Sequence, residues 1–384
     1  MELFKANNQW STRPADERFS SLEDLHTQTK AYAEQAREKL VSVADIRTEA
    51  VGGDVELVGK AKIPAKLSHW AFGQIASKVG APASYLRELP ATLASQNLNY
   101  GLKQLEAVQG EGERLKLMFH QNGSLLLRAF TSDQYARIWN YEVAERLLGL
   151  QEHGWEPAKP DTHWSGEVGT CIMCGGTGKQ LSEEPCMYCA GTGKELPALY
   201  ASDHDMFAFV KNSHITIGGS DRPLQKGLIV ENSEVGARAL KFTKFYYDKM
   251  CGNHIIWGAS DVVEIDIRHI GAARDKFQLY SADIRKYANE SASDDEAVIT
   301  RAKSTVIAAT REEVLDKLFG LRQLKLSKKT IEAGLDAINL EQDGDPNTVW
   351  GAVCGLTRYS QTLPYADQRT EVDKAAGKLL EVSF

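Results

Sequence analysis

Arg114-Leu-Lys-Leu-Met-Phe119, then Asn122-Gly123, then Leu125-Leu-Leu-Arg128-Ala-Phe130 is the stretch whose reading decides the fold. Apolar and polar residues alternate along its first arm, as in a strand with one buried face. Asn-Gly between two such arms is the pair favoured by a type I′ turn, whose twist suits a two-strand hairpin. Thr131-Ser132-Asp133-Gln134 then reads as a helix cap, with Tyr135, Ile138, Trp139, Val143 and Leu147 on one helical side behind it. A hairpin feeding an amphipathic helix predicts an α+β fold.

Upstream, Ser20-Ser21-Leu22-Glu23 reads as a capping box, and the helix after it carries Leu22, Leu25, Ala33, Ala36 and Leu40. Residues 42–64 read as short strands around a Gly52-Gly53-Asp54 turn. The segment from Leu67 to Leu105 reads as helical, broken at Val79-Gly80-Ala81-Pro82 and again at Pro90. Ala76, Gly80, Leu86 and Leu89 match positions of a helix-turn-helix, but the reading helix would offer only Ser84, Tyr85 and Arg87. A helical hairpin packing its apolar face is the better reading.

Downstream, strands are expected at Met206–Val210, His214–Gly218, Gly227–Glu231 and Val262–His269. Helices dominate from Ala282, where Ser327 caps 328–340 and Asn347 caps a helix bearing Trp350, Val353 and Leu356. The expected organisation is an N-terminal helix with short strands over 1–59 and a mixed-sheet core over 60–150 and 200–281. A small insertion over 151–199 and a helical C-terminal region over 282–384 complete it.

The 384 residues are 42% apolar and 25% charged, an ordinary globular composition. Met1-Glu2-Leu3-Phe4-Lys5 begins no apolar signal segment, and no run reaches membrane-spanning length. A cytoplasmic protein with no membrane partner is therefore expected. The net charge of −7 argues against a surface coated in positive charge, so any nucleic-acid contact must rest on local clusters.

Cys171-Ile-Met-Cys174-Gly-Gly-Thr-Gly178 returns as Cys186-Met-Tyr-Cys189-Ala-Gly-Thr-Gly193. Two such C-x-x-C knuckles can supply four thiolates to one tetrahedral zinc. Their glycines tolerate the positive φ of tight turns around a metal. Lys179 and Lys194 would offset part of the thiolate charge. Disulfides would require an oxidising compartment, and a redox C-x-x-C normally stands alone beside a βαβ unit. Four cysteines close the coordination shell to water, so the expected cofactor is one structural zinc ion, not a catalytic one. Cys251 and Cys354 read as core thiols. The repeat resembles the cysteine-rich zinc domain of DnaJ-type chaperones over residues 168–196, including Pro185 before the second knuckle. The His-Pro-Asp tripeptide of a J domain is absent, so the resemblance implies the zinc fold and not a co-chaperone.

Six phrases fall in order along the chain: Trp70-Ala-Phe-Gly-Gln74, Tyr85-Leu-Arg-Glu-Leu-Pro90, Arg128-Ala-Phe-Thr-Ser-Asp-Gln-Tyr135, Asn232-Ser-Glu-Val-Gly236, Cys251-Gly-Asn-His-Ile-Ile-Trp-Gly258 and Asn347-Thr-Val-Trp350. Thr357 and Tyr359 follow the last. Over residues 60–375 this series resembles a phage- and plasmid-borne family known as a domain of unknown function (number nine-three-two). His254 stands where that family has glycine, and the paired knuckles are not one of its general features. The resemblance implies a mobile-element origin and a bacterial host cytoplasm, and it supplies no activity.

Function is sought in the segment 238–257, where Arg238, Lys241, Lys244 and Lys249 interleave with Phe242, Phe245, Tyr246 and Tyr247. Basic groups neutralise phosphates and aromatic faces stack bases. The expected contact set is Arg128, Arg238, Lys241, Lys244, Tyr247 and Asn253, with a second basic run at Arg322, Lys325, Lys328 and Lys329. The expected activity is binding of single-stranded DNA in recombination, annealing or replication. Against it stands the plainer reading of core aromatics and a solvated lysine face. Two other classes stay open. A metal-dependent nuclease would use Asp203, His204, Asp205, Glu234, His254, Asp266 or His269 to hold Mg²⁺ or Mn²⁺ as a second metal, but H-E-x-x-H, nucleophile-elbow and P-loop spacings are all missing, so the chain reads more as a non-enzyme. A counter-defence protein would bind a host or phage factor through the zinc knob, with Ile172, Met173, Met187 and Tyr188 at its tips. A homo-oligomer also stays open.

Overall fold

The computed structural model describes residues 17–19, 21–109, 114–122, 124–158, 174–179, 183, 193, 199–217, 224–248, 254–255, 265–289, 293–360, 362–363 and 366–384. The chain begins with β1 (Arg18–Phe19), α1 (Leu22–Gln35), β2 (Ala36–Ser42), β3 (Ile46–Val51), β4 (Asp54–Gly59) and β5 (Pro64–Leu67). Next come α2 (His69–Lys78), α3 (Ala83–Glu88), α4 (Ala91–Gln109), β6 (Arg114–Asn122), β7 (Ser124–Ser132) and α5 (Asn140–Leu148). The middle of the chain gives β8 (Trp155–Pro157), β9 (Leu199–Ala201), β10 (Met206–Ile217), β11 (Leu224–Asn232), β12 (Leu240–Asp248), β13 (His254–Ile255) and β14 (Ile265–Ile267). Helices close it: α6 (Ala273–Asn289), α7 (Ser293–Ser304), α8 (Arg311–Gly320), α9 (Lys328–Asp336), α10 (Leu340–Asp343), α11 (Val349–Ser360) and α12 (Ala366–Leu379).

The fold is α+β, as expected, and its strands divide into two sheets. The N-terminal sheet has the order β2-β6-β7-β5-β4-β3, antiparallel except for the β5–β7 pair. Its residues Val55, Leu57, Leu115, Leu117 and Leu127 form one core with Phe72, Ile75, Leu86, Leu98 and Leu102 of α2, α3 and α4. The central sheet has the order β1-β9-β10-β11-β12-β13, with β8 also on β10 and β14 also on β12. Alternate residues Met206, Ala208, Val210, Leu228, Val230 and Phe242 pack against α1, α5 and α6. The intervening residues Phe207, Phe209, Ile229 and Phe245 form a separate buried cluster with Ala158 and Tyr200. The C-terminal helices enclose Trp350, Val353, Cys354 and Leu356 and reach the central sheet at Leu224 and Tyr246. Cys354 is thus a core thiol; Cys251 lies outside the described residues.

Several expectations shift. The first helix stops at Gln35, and Ala36–Ser42 forms an edge strand paired with β6 along its whole length. Cross-strand pairing outweighs the helical spacing of Leu40, which ends up exposed. Segment 36–59 supplies three strands of the sheet that holds β5–β7, so the boundary expected after residue 59 runs through a sheet. The helix expected from Asp133 begins at Asn140. Tyr135–Trp139 is held extended instead, with the Ala136 N–H donating to the His269 carbonyl at 2.9 Å. Glu142 caps the delayed helix by accepting from the Trp139 N–H at 3.0 Å. Ser21 and Ser327 cap their helices, whereas α11 is capped by Thr348, one residue past Asn347. The two strands expected at 206–218 are the single strand β10 with an irregular register between Lys211 and Thr216. Strand β12 went unread as a strand.

Candidate functional site

The structure does not gather the expected nucleic-acid residues on one open surface. Phe242, Phe245 and Tyr246 are buried in three different clusters, because β12 lies inside the central sheet with partners on both edges. Phe245 covers Gly227 on the neighbouring strand, where a Cβ would come within 2.3 Å of the ring. Arg238 lies over the Phe207 ring and faces Glu231 and Asp205 at 3.3 and 3.7 Å. Lys241 stands opposite Glu231 on one side and Asp266 on the other. Lys244 places its ammonium 4.3 Å from the Tyr287 ring centre. Arg128 is 4% exposed, which removes it from the solvent-facing set. The side chain of Tyr247 and all of Asn253 lie outside the described residues. Of the second run, Lys328 is bound to Asp316 at 2.8 Å.

Arg128 belongs to a buried polar junction between the two sheets. Met118 pairs with Ala129 and Phe119 with Leu127, so Arg128 is the extra residue of a β-bulge. Bulges re-aim side chains. This one turns the guanidinium toward the turn after β11. Its nitrogens donate to the Asp203 carbonyl, reach His120 Nε2 at 3.0 Å and lie 3.7 Å from Glu234. Glu234 also accepts from the Asn140 N–H at 2.9 Å, and Asn232 donates to Asn140 Oδ1 at 2.8 Å. Gln74 clasps the same turn, donating to the Val235 carbonyl at 2.7 Å while accepting from the Phe130 N–H at 2.8 Å. Trp70 Nε1 and Tyr135 Oη complete the grip through the carbonyls of Val235 and Ser233, each at 3.1 Å. Three phrases separated in sequence, 70–74, 128–135 and 232–236, therefore meet at one place.

The junction's charges shape its titration. Burial raises the Glu234 carboxyl, opposed chiefly by Arg128. Burial lowers His120 to about 4, helped by Arg128 and Arg137. His269, stacked on Tyr135 with centroids 5.3 Å apart, is lowered to about 4 by burial and by Arg137. Arg137 lies against the Tyr135 and Trp139 rings and donates through Nε to Glu38 at 2.8 Å. Among the described residues its two terminal nitrogens, Asn232 Oδ1 and His269 Nε2 are buried without hydrogen-bond partners.

Among the described residues the nuclease candidates do not form a metal site. Glu234 and His269 belong to the junction, Asp203-His204-Asp205 forms a turn, and His254 and Asp266 stand on separate strands flanking β12. His204 Nδ1 is 2.9 Å from Asp203 and 3.1 Å from Ser202 Oγ, while Ser202 donates to Asp205 at 2.8 Å. These bonds lock the turn. Among the described residues no group of three or more His, Cys, Asp or Glu is placed to hold a metal.

An open groove lies on the N-terminal sheet instead, a cavity of about 290 Å³. Its lining includes Leu57, Leu117, Phe119 and Leu125, on the face that α2 and α4 pack elsewhere. Arg37 and Lys39 of edge strand β2 stand opposite Phe119 and Leu117, and Lys60 lines it from the turn after β4. Lys60 is countered by Asp45 at 2.7 Å, and Glu38 turns away to Arg137. Two separate segments of the chain supply these cations, so no run in the sequence announced them.

Of the four expected zinc ligands, Cys174 is described; Cys171, Cys186 and Cys189 lie outside the described residues. The Gly178 N–H donates to Cys174 Sγ at 3.3 Å, a bond that favours the thiolate. Gly175, Gly176, Gly178 and Gly193 all have positive φ. A Cβ at Gly193 would sit 2.2 Å from the Gly176 carbonyl oxygen, so the two repeats touch through their glycines. No helix among the described residues is long and apolar enough to cross a membrane. Compared with family models, curated proteins and solved structures, the chain has no match.

Proposed function

We propose that this chain binds single-stranded nucleic acid, DNA handled in the recombination or replication of a mobile element, in the groove of its N-terminal sheet. One observation carries the reading: an apolar floor around Phe119 with Arg37, Lys39 and Lys60 around it. Cations along such a groove neutralise the phosphate backbone while bases lie against apolar and aromatic side chains. The floor offers few hydrogen-bonding groups to base edges, so binding is expected to be indifferent to sequence. A single structural zinc, held by Cys171, Cys174, Cys186 and Cys189, would pin the insertion and take no part in the contact.

Fluorescence anisotropy with a labelled oligothymidine tests this. The intact chain should bind at low salt and weaken steeply as salt rises. Lys39→Glu combined with Lys60→Glu should weaken binding at least about tenfold and flatten the salt slope by about 1.4, the share of two lost phosphate contacts. Its thermal unfolding should match that of the parent, because both lysines sit at the surface. Equal affinity and equal slope in the double variant would remove the groove from the reading.

A further inference from the structure

Ala158 and Leu199 occupy neighbouring positions of one strand. β8 pairs antiparallel with β10 as Trp155↔Asn212, Glu156↔Lys211 and Pro157↔Val210. The Ala158 N–H continues that ladder, donating to the Phe209 carbonyl at 2.8 Å. β9 takes up the same edge of β10 at the very next position, as Leu199↔Ala208, Tyr200↔Phe207 and Ala201↔Met206. No position on β10 is skipped or used twice.

Side-chain alternation runs through the break as well. Trp155, Leu199 and Ala201 lie in the core shared with α1 and α5, and Ala158 and Tyr200 lie in the aromatic cluster on the opposite face. A slip of one residue would exchange those faces. Pairing and alternation therefore agree that 155–158 and 199–201 form a single strand with residues 159–198 set between two consecutive positions. Inside that stretch, the contact of Gly193 with Gly176 joins the two knuckle repeats to each other.

We infer that residues 159–198 are an insertion spliced into an unbroken core strand, so that the core folds and keeps its groove without them. The insertion's own task is then separable from that of the groove. The folding half of this inference stands by itself; the groove half rests on the proposed nucleic-acid binding.

Deletion of 159–198, joining Ala158 directly to Leu199, tests both halves. The deleted chain should unfold in one cooperative transition at the parent's denaturant midpoint, carry no zinc where the parent carries one ion per chain, and bind oligothymidine within about twofold of the parent. A second version with a short Gly-Ser bridge guards against strain at the join. Failure of both versions to fold would overturn the inference. In the full-length chain, Cys174→Ser with Cys186→Ser should abolish zinc binding and leave the main unfolding transition in place. Collapse of that transition on zinc loss would also overturn it. If the parent itself binds no oligonucleotide, the groove reading fails, and the splice is still decided by the folding and zinc measurements.

Discussion

The central and N-terminal sheets use similar side chains to opposite ends. In the central sheet, β12 alternates lysines with aromatics, yet its rings are buried on both faces and the one at Phe245 seals the gap over Gly227. In the N-terminal sheet, edge strand β2 carries Arg37 and Lys39 beside a floor that the helices leave open. A basic-aromatic stripe thus says little about binding until the strand's place in its sheet is known. In β12 the lysines lie over a ring or opposite carboxylates, whereas Arg37 and Lys39 of edge strand β2 stay exposed.

The sharpest way to break that contrast is Phe245→Ala. If Phe245 is core, truncation should cost about 3–5 kcal/mol, the usual range for a buried aromatic. Chemical denaturation would read this as a lower midpoint, while the folded fraction should still bind oligothymidine with the parent's affinity. A variant of unchanged stability with lost binding would restore the segment 238–257 as the contact surface and reverse the roles of the two sheets.

The seam between the sheets gives a smaller effect, read through pH. His120 Nε2 accepts from the Arg128 guanidinium and the ring stands near Arg137; His269 faces Arg137 and the Tyr135 ring, and its Nδ1 accepts from the Ile138 N–H. Both titrate near 4 when folded and near 6.5 when unfolded. Between those values the unfolded chain takes up protons that the folded chain refuses, so stability is complete above about pH 6.5 and falls as pH drops toward 4. Each histidine contributes up to about 3 kcal/mol to that loss. Glu234, whose folded carboxyl is raised, acts in the opposite sense and offsets part of it. Urea midpoints across this range should decline, and the decline should shrink in His120→Gln. A flat profile would mean that the seam opens to water and protonates freely.

How much of this was legible in the sequence differs by kind of feature. The Asn122 turn, the breaks at Gly80 and Pro90, and the caps at Ser21 and Ser327 were readable, because each depends on a few adjacent residues. The shared register of β8 and β9 on β10 was not readable, since register exists only with the partner strand. The bulge at Arg128 was hidden for the same reason: β6 decides which residue of β7 is extra. The groove's cations come from β2 and the turn after β4, and β2 itself imitated the tail of a helix.

The smallest effect concerns the two edges of the N-terminal sheet. At β3, helix α4 supplies a false strand: Asn99 accepts from the Thr48 N–H at 2.7 Å and donates to the Thr48 carbonyl at 2.8 Å, with Ser95 bonded to the same carbonyl. An amide side chain here satisfies both backbone groups of an edge residue, which blunts that edge against pairing with other chains. At β2 the outer edge carries the charged side chains of Arg37, Glu38 and Lys39. Asn99→Ala should therefore cost about 1–2 kcal/mol for the two lost bonds and the exposed backbone pair. It should also raise self-association at high concentration, which light scattering would detect. Asn99→Asp keeps the acceptor and loses the donor, so it should fall between the two; if it matched the parent, the amide's bond to the carbonyl would be redundant with that of Ser95, and the bond to the Thr48 N–H alone would guard that edge.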